Sequence, residues 1–468
     1  MVIFDSATRT KRPFEPIRPG RVDLYVCGPT VYDDAHLGHA RSALSFDLLA
    51  RTFRALGYRV TLAKNFTDID DKILAKMEQT GQSLQEITDH YIARYLDEMG
   101  QLGVRRADIE PKATESLDAI EAMIQRLIDR GYAYRTDNGD VYFDTTRDAD
   151  YGSLSHRASD AQSQSRVAHT DQKRDPKDFA LWKACEADET VCFDLPFSSG
   201  RPGWHIECSA MIEKHFEGTD TYSIDIHGGG ADLLFPHHEN EAAQSRCATG
   251  HALAKYWMHN GFVQVDGEKM SKSLGNSFFL KDALAQYDGE ILRYYLIGVH
   301  YRNDFNFNEV DLLAAKKRLD KLYRLKKRLV PSAAAAEPDP EFRAALLAAM
   351  EDDLNVSEAY AAVDTMINAA NEALDTDSRN ATLKKRLMAN LALIDAVLGF
   401  GGKDPYAYFQ LGLDPDLIAQ VEALLVERAD AKANRDYARA DAIRAQLAEM
   451  EIAIMDTPDG TVWEKVYA

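Results

Sequence analysis

Two strand–helix patterns, one near the N-terminus and one in the middle of the chain, constrain the fold of this 468-residue protein most strongly. The first has a β-rich run at Arg21–Cys27, helical periodicity from Leu37 to Leu56 and a second strand-like run at Tyr58–Ala63. A strand, a helix and a strand at this spacing predict a βαβ unit. The second pattern leads from Tyr222–Ile226 through a glycine run into a helix over Pro236–Arg246. The two patterns predict the two halves of one parallel sheet.

The rest of the chain predicts an insertion and two further domains. Roughly residues 130–202 mix charged, serine-rich and proline-containing loops, which favours an insertion between the two halves of the sheet. Helical patterns dominate beyond the sheet, and the tail combines two helices with two short strand-like runs. We therefore predict an α/β protein with a Rossmann-type parallel-sheet domain, an α-helical bundle and a small C-terminal α+β domain. The predicted bounds of these domains are 1–300, 301–402 and 403–468.

Composition restricts the classes of function. The formal net charge of −20 and the isoelectric point near 5.1 argue against general affinity for nucleic acids, so any RNA contact must use local basic surface. No apolar stretch approaches the roughly 20 residues that a membrane helix needs. The opening segment Met1–Ser6 lacks the features of a secretory signal. These patterns predict a cytoplasmic protein with no membrane partner.

The cysteines number five, and they are scattered along the chain at Cys27, Cys185, Cys192, Cys208 and Cys247. An odd, scattered set in a large acidic chain does not predict a disulfide framework. A small buried hydrophobic role is the ordinary interpretation for any one of them. Cys27 and Cys208 are exceptions because of their neighbours in the sequence.

Two short motifs carry a family resemblance. They are His36-Leu37-Gly38-His39 and, at residues 269–273, Lys269-Met270-Ser271-Lys272-Ser273. In this order and at this separation they resemble the paired signature of the class I aminoacyl-tRNA synthetases. The chain from Leu24 to Trp463 is similar to the cysteinyl-tRNA synthetase family over nearly its full length. The resemblance implies that the first domain is catalytic and that the C-terminal domain binds the anticodon.

The resemblance makes His36, His39, Lys269 and Lys272 the catalytic residues. When a carboxylate attacks the α-phosphate of ATP, charge moves onto phosphate oxygens, and cationic donors already in place lower the barrier. The two histidines lie at a predicted helix N-terminus, which itself favours phosphate. The lysines lie on a loop that can close over the leaving phosphates.

A second group of residues is expected to bind ATP, with Mg²⁺ as its companion ion. Gly38 leaves room for the adenine ring, and the segment His227-Gly-Gly-Gly-Ala-Asp232 resembles the adenosine-binding loop of the family. A tight turn explains a glycine run equally well. The expected ATP-binding residues are Gly38, His39, Gly229, Asp232 and Lys272.

Substrate cysteine is expected to contact Thr67, Trp204 and His227. Thr67 belongs to a segment that resembles the family's adenylate-binding stretch, in which Asp68 or Asp70 could equally be a helix N-cap. Trp204 and His227 resemble residues that line the amino-acid pocket. Core packing remains an alternative for Trp204.

The metal ligands of the family match Cys27, Cys208, His237 and Glu241, which implies one zinc ion per chain. His237 and Glu241 share one face of a predicted helix, and thiolate, imidazole and carboxylate donors suit zinc. Spacing alone does not choose His237 over His238, or Glu241 over Glu239. Buried cysteines beside a polar helix remain the alternative.

A zinc ion would explain how the enzyme distinguishes cysteine from serine. Serine differs from cysteine by one atom, and an apolar pocket rejects such a near-isostere weakly. A thiol loses its proton and binds zinc as a soft thiolate, whereas a hydroxyl is harder and far less acidic. Direct ligation of sulfur thus accounts for selection of cysteine.

Local basic surface is present at Lys316–Arg328, where eight of thirteen residues are basic. On a helix this segment predicts a positive stripe suited to tRNA phosphates, with a solvated face as the alternative. Trp463 in the tail is interpreted either as a base-stacking residue or as part of a small core.

We therefore expect an enzyme, monomeric in the manner of most of the family, that activates L-cysteine with ATP and transfers it to the 3′ end of tRNA(Cys). Two other functions stay open at this point. One is a ligase of thiol-cofactor synthesis with the same catalytic core. The other is a non-catalytic RNA-binding paralogue.

Overall fold

The computed structural model of the protein describes residues 1–157, 172–186, 189–265, 268–269, 278–330, 332–334, 337–457 and 460–465. They form two compact units. The first unit comprises residues 1–282, 296–308 and 347–357, and the second comprises residues 283–295, 309–346 and 358–468.

The secondary structure alternates strands and helices in the first unit and is mainly helical in the second. The strands are β1 (Val2–Asp5), β2 (Thr10–Pro13), β3 (Arg21–Val26), β4 (Arg59–Lys64), β5 (Ala133–Arg135), β6 (Val141–Phe143), β7 (Phe179–Ala184), β8 (Phe193–Asp194), β9 (Ser199–Pro202), β10 (Tyr222–Gly230), β11 (Ala252–Asn260), β12 (Val263–Val265), β13 (Glu268–Lys269), β14 (Phe305–Phe307), β15 (Ile452–Thr457) and β16 (Gly460–Lys465). The helices are α1 (Leu37–Ala55), α2 (Asp71–Thr80), α3 (Leu84–Gln101), α4 (Leu117–Asp129), α5 (Trp204–His215), α6 (Glu239–Thr249), α7 (Leu280–Gln286), α8 (Gly289–Ile297), α9 (Glu309–Leu329), α10 (Pro340–Glu351), α11 (Val356–Thr376), α12 (Ala381–Leu398), α13 (Pro405–Phe409), α14 (Pro415–Ala433) and α15 (Tyr437–Glu449).

A four-stranded parallel sheet forms the centre of the first unit, in the order β11-β10-β3-β4. Leu24 of β3 is in register with Ile226 of β10 on one side and Leu62 of β4 on the other. These strands are buried along most of their length, as expected for parallel strands that are covered on both faces. The predicted parallel sheet with its βαβ unit is confirmed.

The predicted helices shift slightly at their ends. Helix α1 ends at Ala55, one residue before the predicted end, and Gly57 follows in the left-handed region with φ +90°. The helix predicted over Pro236–Arg246 is α6, which begins at Glu239 and is preceded by a kinked turn at Leu234–His238, in which the backbone of Phe235 is extended and its peptide bond to Pro236 is cis.

The insertion between the halves of the parallel sheet forms an antiparallel sheet of its own, in the order β5-β6-β7-β9-β8. Val141, Phe143 and Trp182 of this sheet share a core with α4 and with Ile206 of α5. The last strand of the insertion in the chain, β9, leads directly into α5. The insertion therefore fixes the N-terminus of the helix that carries Cys208.

The second unit contains the helices predicted beyond the sheet and a two-stranded sheet of β15 and β16. Its C-terminal part has a small core that includes Val421, Ile443 and Trp463. Trp463 is 2% exposed, and its indole nitrogen donates a hydrogen bond to Glu422 Oε1 at 2.6 Å. Of the two interpretations of Trp463, the structure therefore shows core packing.

The cysteine prediction is wrong for two of the five residues. Cys185 and Cys192 form a disulfide, whereas Cys27, Cys208 and Cys247 are free. Cys185 follows β7 and Cys192 precedes β8, and both strands pair with β9, so the contact between the two cysteines depends on the fold of the sheet. In the described part of the chain, no helix has the length and apolar character that crossing a bilayer requires.

Candidate active site

Four potential metal ligands meet beside the carboxyl-terminal ends of β3 and β10. Cys27 directly follows β3, Cys208 lies in α5, His237 lies in the kinked turn before α6, and Glu241 lies in the first turn of α6. One ligand atom from each of the four lies within 4.8 Å of those from the other three. The switch between the two halves of a parallel sheet is the usual place for a ligand in such folds.

The distances in this cluster fit a tetrahedral metal ion. The sulfurs of Cys27 and Cys208 are 3.7 Å apart, and Cys27 Sγ is 3.5 Å from Glu241 Oε1. Two thiolates bound to zinc at about 2.3 Å in a tetrahedral site lie about 3.8 Å apart, and a thiolate and a carboxylate oxygen lie about 3.6 Å apart. His237 Nε2 is 3.0 Å from Glu241 Oε1. The donor set thus has the size that zinc requires.

A second combination shares two of these ligands. Cys27, His227, His238 and Glu241 also bring ligand atoms within 4.8 Å of one another. This set has one sulfur, its His238 Nε2 lies 3.9 Å from Glu241 Oε1, and Nδ1 of the same ring contacts His259 Nε2 at 2.7 Å. His227 Nε2 contacts the other carboxylate oxygen, Oε2 of Glu241, at 2.7 Å. The two-sulfur set therefore fits a soft metal better.

The electrostatics of the cluster favour charged donors at some positions and neutral ones at others. Burial, together with Cys208, raises the pKa of the Cys27 thiol, while the hydrogen bond from Cys27 lowers the pKa of Cys208. Burial opposes ionisation of Glu241, but His227 and His237 hold its pKa well below the usual carboxyl range. Burial also opposes protonation of His237, yet Glu241 and Cys208 raise its pKa to about 9. Without a metal, the cluster therefore combines the Glu241 carboxylate with a neutral Cys27 thiol, and a bound cation would favour loss of that thiol proton.

A cavity of about 520 Å³ opens next to this cluster. His237 contributes both to the cluster and to the cavity wall, and the ring of Trp204 stacks on it at 4.0 Å with an interplanar angle of 21°. Other lining residues are Arg201, His205, Glu207 and Asp232. Trp204 is only half-buried, so it is a wall of the cavity as well as a packing residue.

Two of the residues expected at the substrate lie close to this centre. The Thr67 hydroxyl donates to Glu207 Oε2 at 3.2 Å, and it lies 3.4 Å from the side-chain nitrogen of Asn65. His227 is buried, with Nδ1 3.1 Å from the carbonyl oxygen of Tyr25. Asp70 is the N-cap of α2 and accepts from the amide of Lys72, whereas Asp68 accepts hydrogen bonds from Thr114.

Asn65, Glu207 and His205 belong to the site and were missing from the sequence prediction. Asn65 Oδ1 accepts from the amide of Gly28 at 2.8 Å and lies 3.8 Å from Cys208 Sγ. Burial raises the pKa of Glu207 well above the usual carboxyl range. Their positions in the sequence could have indicated them, because Glu207 adjoins Cys208 and Asn65 directly follows the second strand of the βαβ unit. His205 Nδ1 lies 2.9 Å from His237 Nδ1.

The histidine motif forms the N-terminus of α1. His36 is the N-cap, and its Nδ1 accepts from the amide of Gly38 at 3.1 Å, while His39 Nδ1 accepts from the amide of His36 at 3.2 Å. The two rings stack at 3.8 Å. A Cβ on residue 38 would lie 2.9 Å from the His36 ring. Glycine is therefore needed here for the histidine stack itself, a reason that the sequence did not show.

The glycine run lies at the end of β10, with side-chain rings close by. A Cβ on Gly228 would clash with the Phe46 ring, and one on Gly229 would lie 3.0 Å from the His238 ring. Asp232 follows in a short 3₁₀ turn and is exposed. Close approach of side chains therefore explains Gly228 and Gly229.

The lysine motif is described only at its start. Lys269 lies in β13, where its backbone is in register with Gln264 of β12. Lys272 lies outside the described residues.

Comparisons with known proteins agree with the fold and identify the family. A family model described as the tRNA synthetases class I (C) catalytic domain matches residues 13–317. The solved structure of methionyl-tRNA synthetase from Mycobacterium tuberculosis in complex with methionyl-adenylate shares the fold, with a TM-score of 0.59 at 16% identity, over 85% of this chain and 94% of that one. The parallel sheet, its insertion and the histidine motif at the helix N-terminus define a class I aminoacyl-tRNA synthetase.

Sequence relatives indicate which amino acid this synthetase uses. A cysteine--tRNA ligase of a Sulfurovum species is 69% identical over 99% of this chain and 100% of its own length. That of a Nitratiruptor species is 59% identical over the whole of both chains. Models of the DALR domain and of the cysteinyl-tRNA ligase anticodon binding domain match residues 345–401 and 414–463. The chain belongs to the cysteine--tRNA ligase family, with cysteine, ATP and tRNA(Cys) as its substrates.

Proposed function

We propose that the protein selects cysteine through a zinc ion held by Cys27, Cys208, His237 and Glu241. The observation that supports this proposal most directly is the 3.7 Å separation of two sulfurs in a donor set of tetrahedral dimensions, one member of which, His237, lines the cavity. Bound zinc supplies a soft Lewis acid that accepts a thiolate far better than a hydroxyl. The protein's own task is to hold four donors in place and to leave the cavity open toward them.

The residues around the cavity give the amino acid its orientation. Trp204 is proposed as the apolar wall, fixed by its stack on His237. Thr67 and His227 are proposed as polar contacts, and each is held by a hydrogen bond within the protein. A cavity that is formed in advance lowers the ordering cost of binding.

The test of this function is charging of a tRNA(Cys) transcript with labelled cysteine in the presence of excess serine. Cysteinyl-tRNA should form, and serine should neither be attached nor slow the reaction appreciably. Attachment of serine would contradict selection through a metal-bound sulfur.

Activation of cysteine is proposed to take place at the N-terminus of α1. His36 is the N-cap of this helix and His39 stands in its first turn, where the helix dipole favours the phosphates of ATP. Gly38, Gly229 and Asp232 are proposed to contact the adenosine, with Mg²⁺ bound to the phosphates. Lys269 and Lys272 complete the set by neutralising charge on the leaving pyrophosphate.

Replacing Lys272 by alanine should reduce cysteine-dependent pyrophosphate exchange by about 100-fold or more, because a charge that stabilises the transition state is lost. Transfer from preformed cysteinyl-adenylate to tRNA involves no pyrophosphate departure and should change little. Single-turnover measurement of both steps separates the two effects. Equal losses in both steps would refute the proposed role.

The domains predicted at 1–300, 301–402 and 403–468 are proposed as the catalytic, helical and anticodon-binding parts. The matches to three separate family models support this division. We further propose a cytoplasmic monomer, and sedimentation of the purified chain tests the monomeric state directly.

The basic segment of α9 contains only a small group of cations that face solvent. Several of its charges have partners in the same unit, including Arg318 with Asp364 and Arg328 with Asp375. Lys317, Lys321 and Arg324 are exposed and form no ion pair with any described residue. Their spacing of four and three residues places them on one helix face. We propose this face as a contact for tRNA phosphates.

Replacing Lys317, Lys321 and Arg324 together by alanine should raise the Michaelis constant for tRNA about tenfold and flatten its dependence on salt, because three phosphate contacts are lost. Pyrophosphate exchange should not change. A matched control replaces Arg343, Arg379 and Lys385, three exposed cations of the same unit. An equal effect in the control would assign the result to net charge and contradict the proposed contact.

A further inference from the structure

The disulfide lies in the insertion, apart from the candidate metal centre. Cys185 follows β7 and Cys192 precedes β8, with Cα atoms 6.2 Å apart. Both residues are partly exposed, whereas Cys208 and Cys247 are buried and Cys27 belongs to the metal cluster. The pair is therefore accessible to small thiols and disulfides.

Each sulfur of the pair lies near a backbone carbonyl oxygen. The sulfur of Cys185 lies 3.6 Å from the carbonyl oxygen of Val191, and the sulfur of Cys192 lies 3.8 Å from that of Glu189. A thiol formed by reduction carries a proton that such an oxygen can accept. We therefore expect the reduced pair to find hydrogen-bond acceptors within the same loop.

A chain of polar contacts joins this loop to the cavity. Glu189 lies between the two cysteines, and its Oε1 accepts from Arg201 Nη2 at 2.5 Å. The other end of the guanidinium, Nη1, donates to Asp71 Oδ1 at 2.8 Å. Arg201 is 12% exposed, lines the cavity and lies three residues before Trp204. A movement of Glu189 would therefore change the hydrogen bonding of Arg201 in the cavity wall.

We propose that Cys185 and Cys192 form a thiol–disulfide exchange site for cysteine and its disulfide, cystine, and that its redox state sets the affinity of the cavity for cysteine through Glu189 and Arg201. The enzyme works only where its thiol substrate is present, so the surrounding pool of cysteine and cystine reaches this exposed pair. The exchange site does not depend on the proposed function. The coupling to affinity rests on it, because the coupling requires that the cavity bind cysteine.

The exchange balances without another reagent. A thiolate of the reduced pair attacks one sulfur of cystine, forms a mixed disulfide and releases one cysteine as its thiolate, which takes up a proton. The second protein thiol loses its proton, attacks the protein sulfur of the mixed disulfide and releases the second cysteine. The protein pair loses two electrons, and one cystine becomes two cysteines.

The oxidised form should bind cysteine more tightly. The crosslink closes the loop that contains Glu189 and reduces its freedom, so the contact with Arg201 costs less ordering. Reduction removes this restriction, and the Michaelis constant for cysteine should rise about three- to tenfold. Affinity would then increase when the substrate pool is oxidised and the free thiol is scarce.

The first experiment measures the redox state of the pair in the full-length, metal-loaded protein. The protein is equilibrated with mixtures of cysteine and cystine, quenched with an alkylating reagent and analysed by mass spectrometry. The disulfide fraction should change reversibly with the ratio of the squared cysteine concentration to the cystine concentration. A pair that stays fully alkylated at all ratios, or fully oxidised at all ratios, would overturn the exchange site.

The second experiment measures the coupling. Initial rates of pyrophosphate exchange give the Michaelis constant of the oxidised protein, of protein reduced with a phosphine, and of the double variant Cys185→Ser/Cys192→Ser. The reduced protein and the double variant should agree with each other and exceed the oxidised form. The variant Glu189→Gln should show the raised value in both redox states, and adding it to the double variant should cause no further rise.

The matched control is Glu186→Gln, which removes an exposed carboxylate from the same loop. This variant should keep the difference between the oxidised and reduced forms. Equal Michaelis constants in the two redox states of the unsubstituted protein would overturn the coupling. The exchange site itself is tested by the redox titration described above. An additive effect of Glu189→Gln and the cysteine substitutions would show that Glu189 does not transmit the change.

Discussion

Serine in place of Cys208 should leave the protein folded without the proposed zinc ion and raise the Michaelis constant for cysteine by about 100-fold or more. A serine hydroxyl has nearly the shape of the thiol but stays protonated at neutral pH, so the tetrahedral set loses an anionic soft donor. Without a cation, burial keeps Cys27 as a protonated thiol, while Glu241 remains a buried carboxylate. Elemental analysis gives metal per chain, and pyrophosphate exchange gives the Michaelis constant.

The same variant distinguishes the two combinations of ligands. Cys208 belongs only to the set with His237, whereas the alternative set uses Cys27, His227, His238 and Glu241. Stoichiometric metal in the variant would therefore support the alternative set and contradict our choice. Cys247→Ser is the matched control, since it also exchanges a buried thiol for a hydroxyl in the first unit. This control should retain the metal and the normal Michaelis constant.

Loss of the metal should also weaken discrimination. With the ion present, cysteine and serine differ in the strength of a direct bond to the metal. Without it, they differ only by one atom in a cavity, which is worth little selectivity. The ratio of kcat/KM for cysteine to that for serine should therefore fall steeply in Cys208→Ser and remain unchanged in Cys247→Ser.

The parts of the fold that the sequence predicted are those with local periodicity. Strand β3, helix α1 and strand β4 are adjacent in the chain, and their patterns repeat within a few residues. The ends of β3 and β10 then place Cys27 near the glycine run, because parallel strands end at the same edge of a sheet. The fold class could therefore be predicted from local patterns, whereas the family was predicted from a resemblance in two short motifs, residues 36–39 and 269–273.

The polar contacts around the site depend on distances that no local pattern encodes. Asn65 meets Gly28 and lies near Cys208, residues 37 and 143 positions away. Glu207 looks like an ordinary helical carboxylate until the packing buries it beside Thr67. Such contacts arise from the assembled layers, and they were missed for this reason.

For the basic segment of α9, the sequence predicted too much rather than too little. Its composition overestimated the number of basic side chains that lack an ion-pair or hydrogen-bond partner. Eight basic residues suggested a continuous stripe. In the folded unit Lys326 is buried and donates to two backbone carbonyl oxygens, and Lys327 pairs with Glu464. A count of charges carries no information on partners from distant parts of the chain. Among the basic residues of α9, Lys317, Lys321 and Arg324 are exposed without an ion pair to any described residue, and they form the face that we propose as the tRNA contact.

Two substitutions separate the two roles of His36, which caps α1 and is proposed to contact ATP. Asparagine is among the best N-cap residues, and its side-chain oxygen can accept from the amide of Gly38 as the imidazole does. His36→Asn should therefore unfold at nearly the normal temperature, whereas His36→Ala should lose about 1 kcal/mol of stability. Both variants lack the imidazole and its stack on His39.

Adenylate formation should consequently fall by about 100-fold in His36→Asn as well as in His36→Ala, because the donor aimed at the phosphates is absent from both. Thermal unfolding measures stability and pyrophosphate exchange measures catalysis, and both are determined on the same preparations. Near-normal exchange in His36→Asn, with a clear loss in His36→Ala, would show that the residue acts only by holding the helix end. A large loss in both, with stability preserved in the asparagine variant, requires that the imidazole itself serves the reaction.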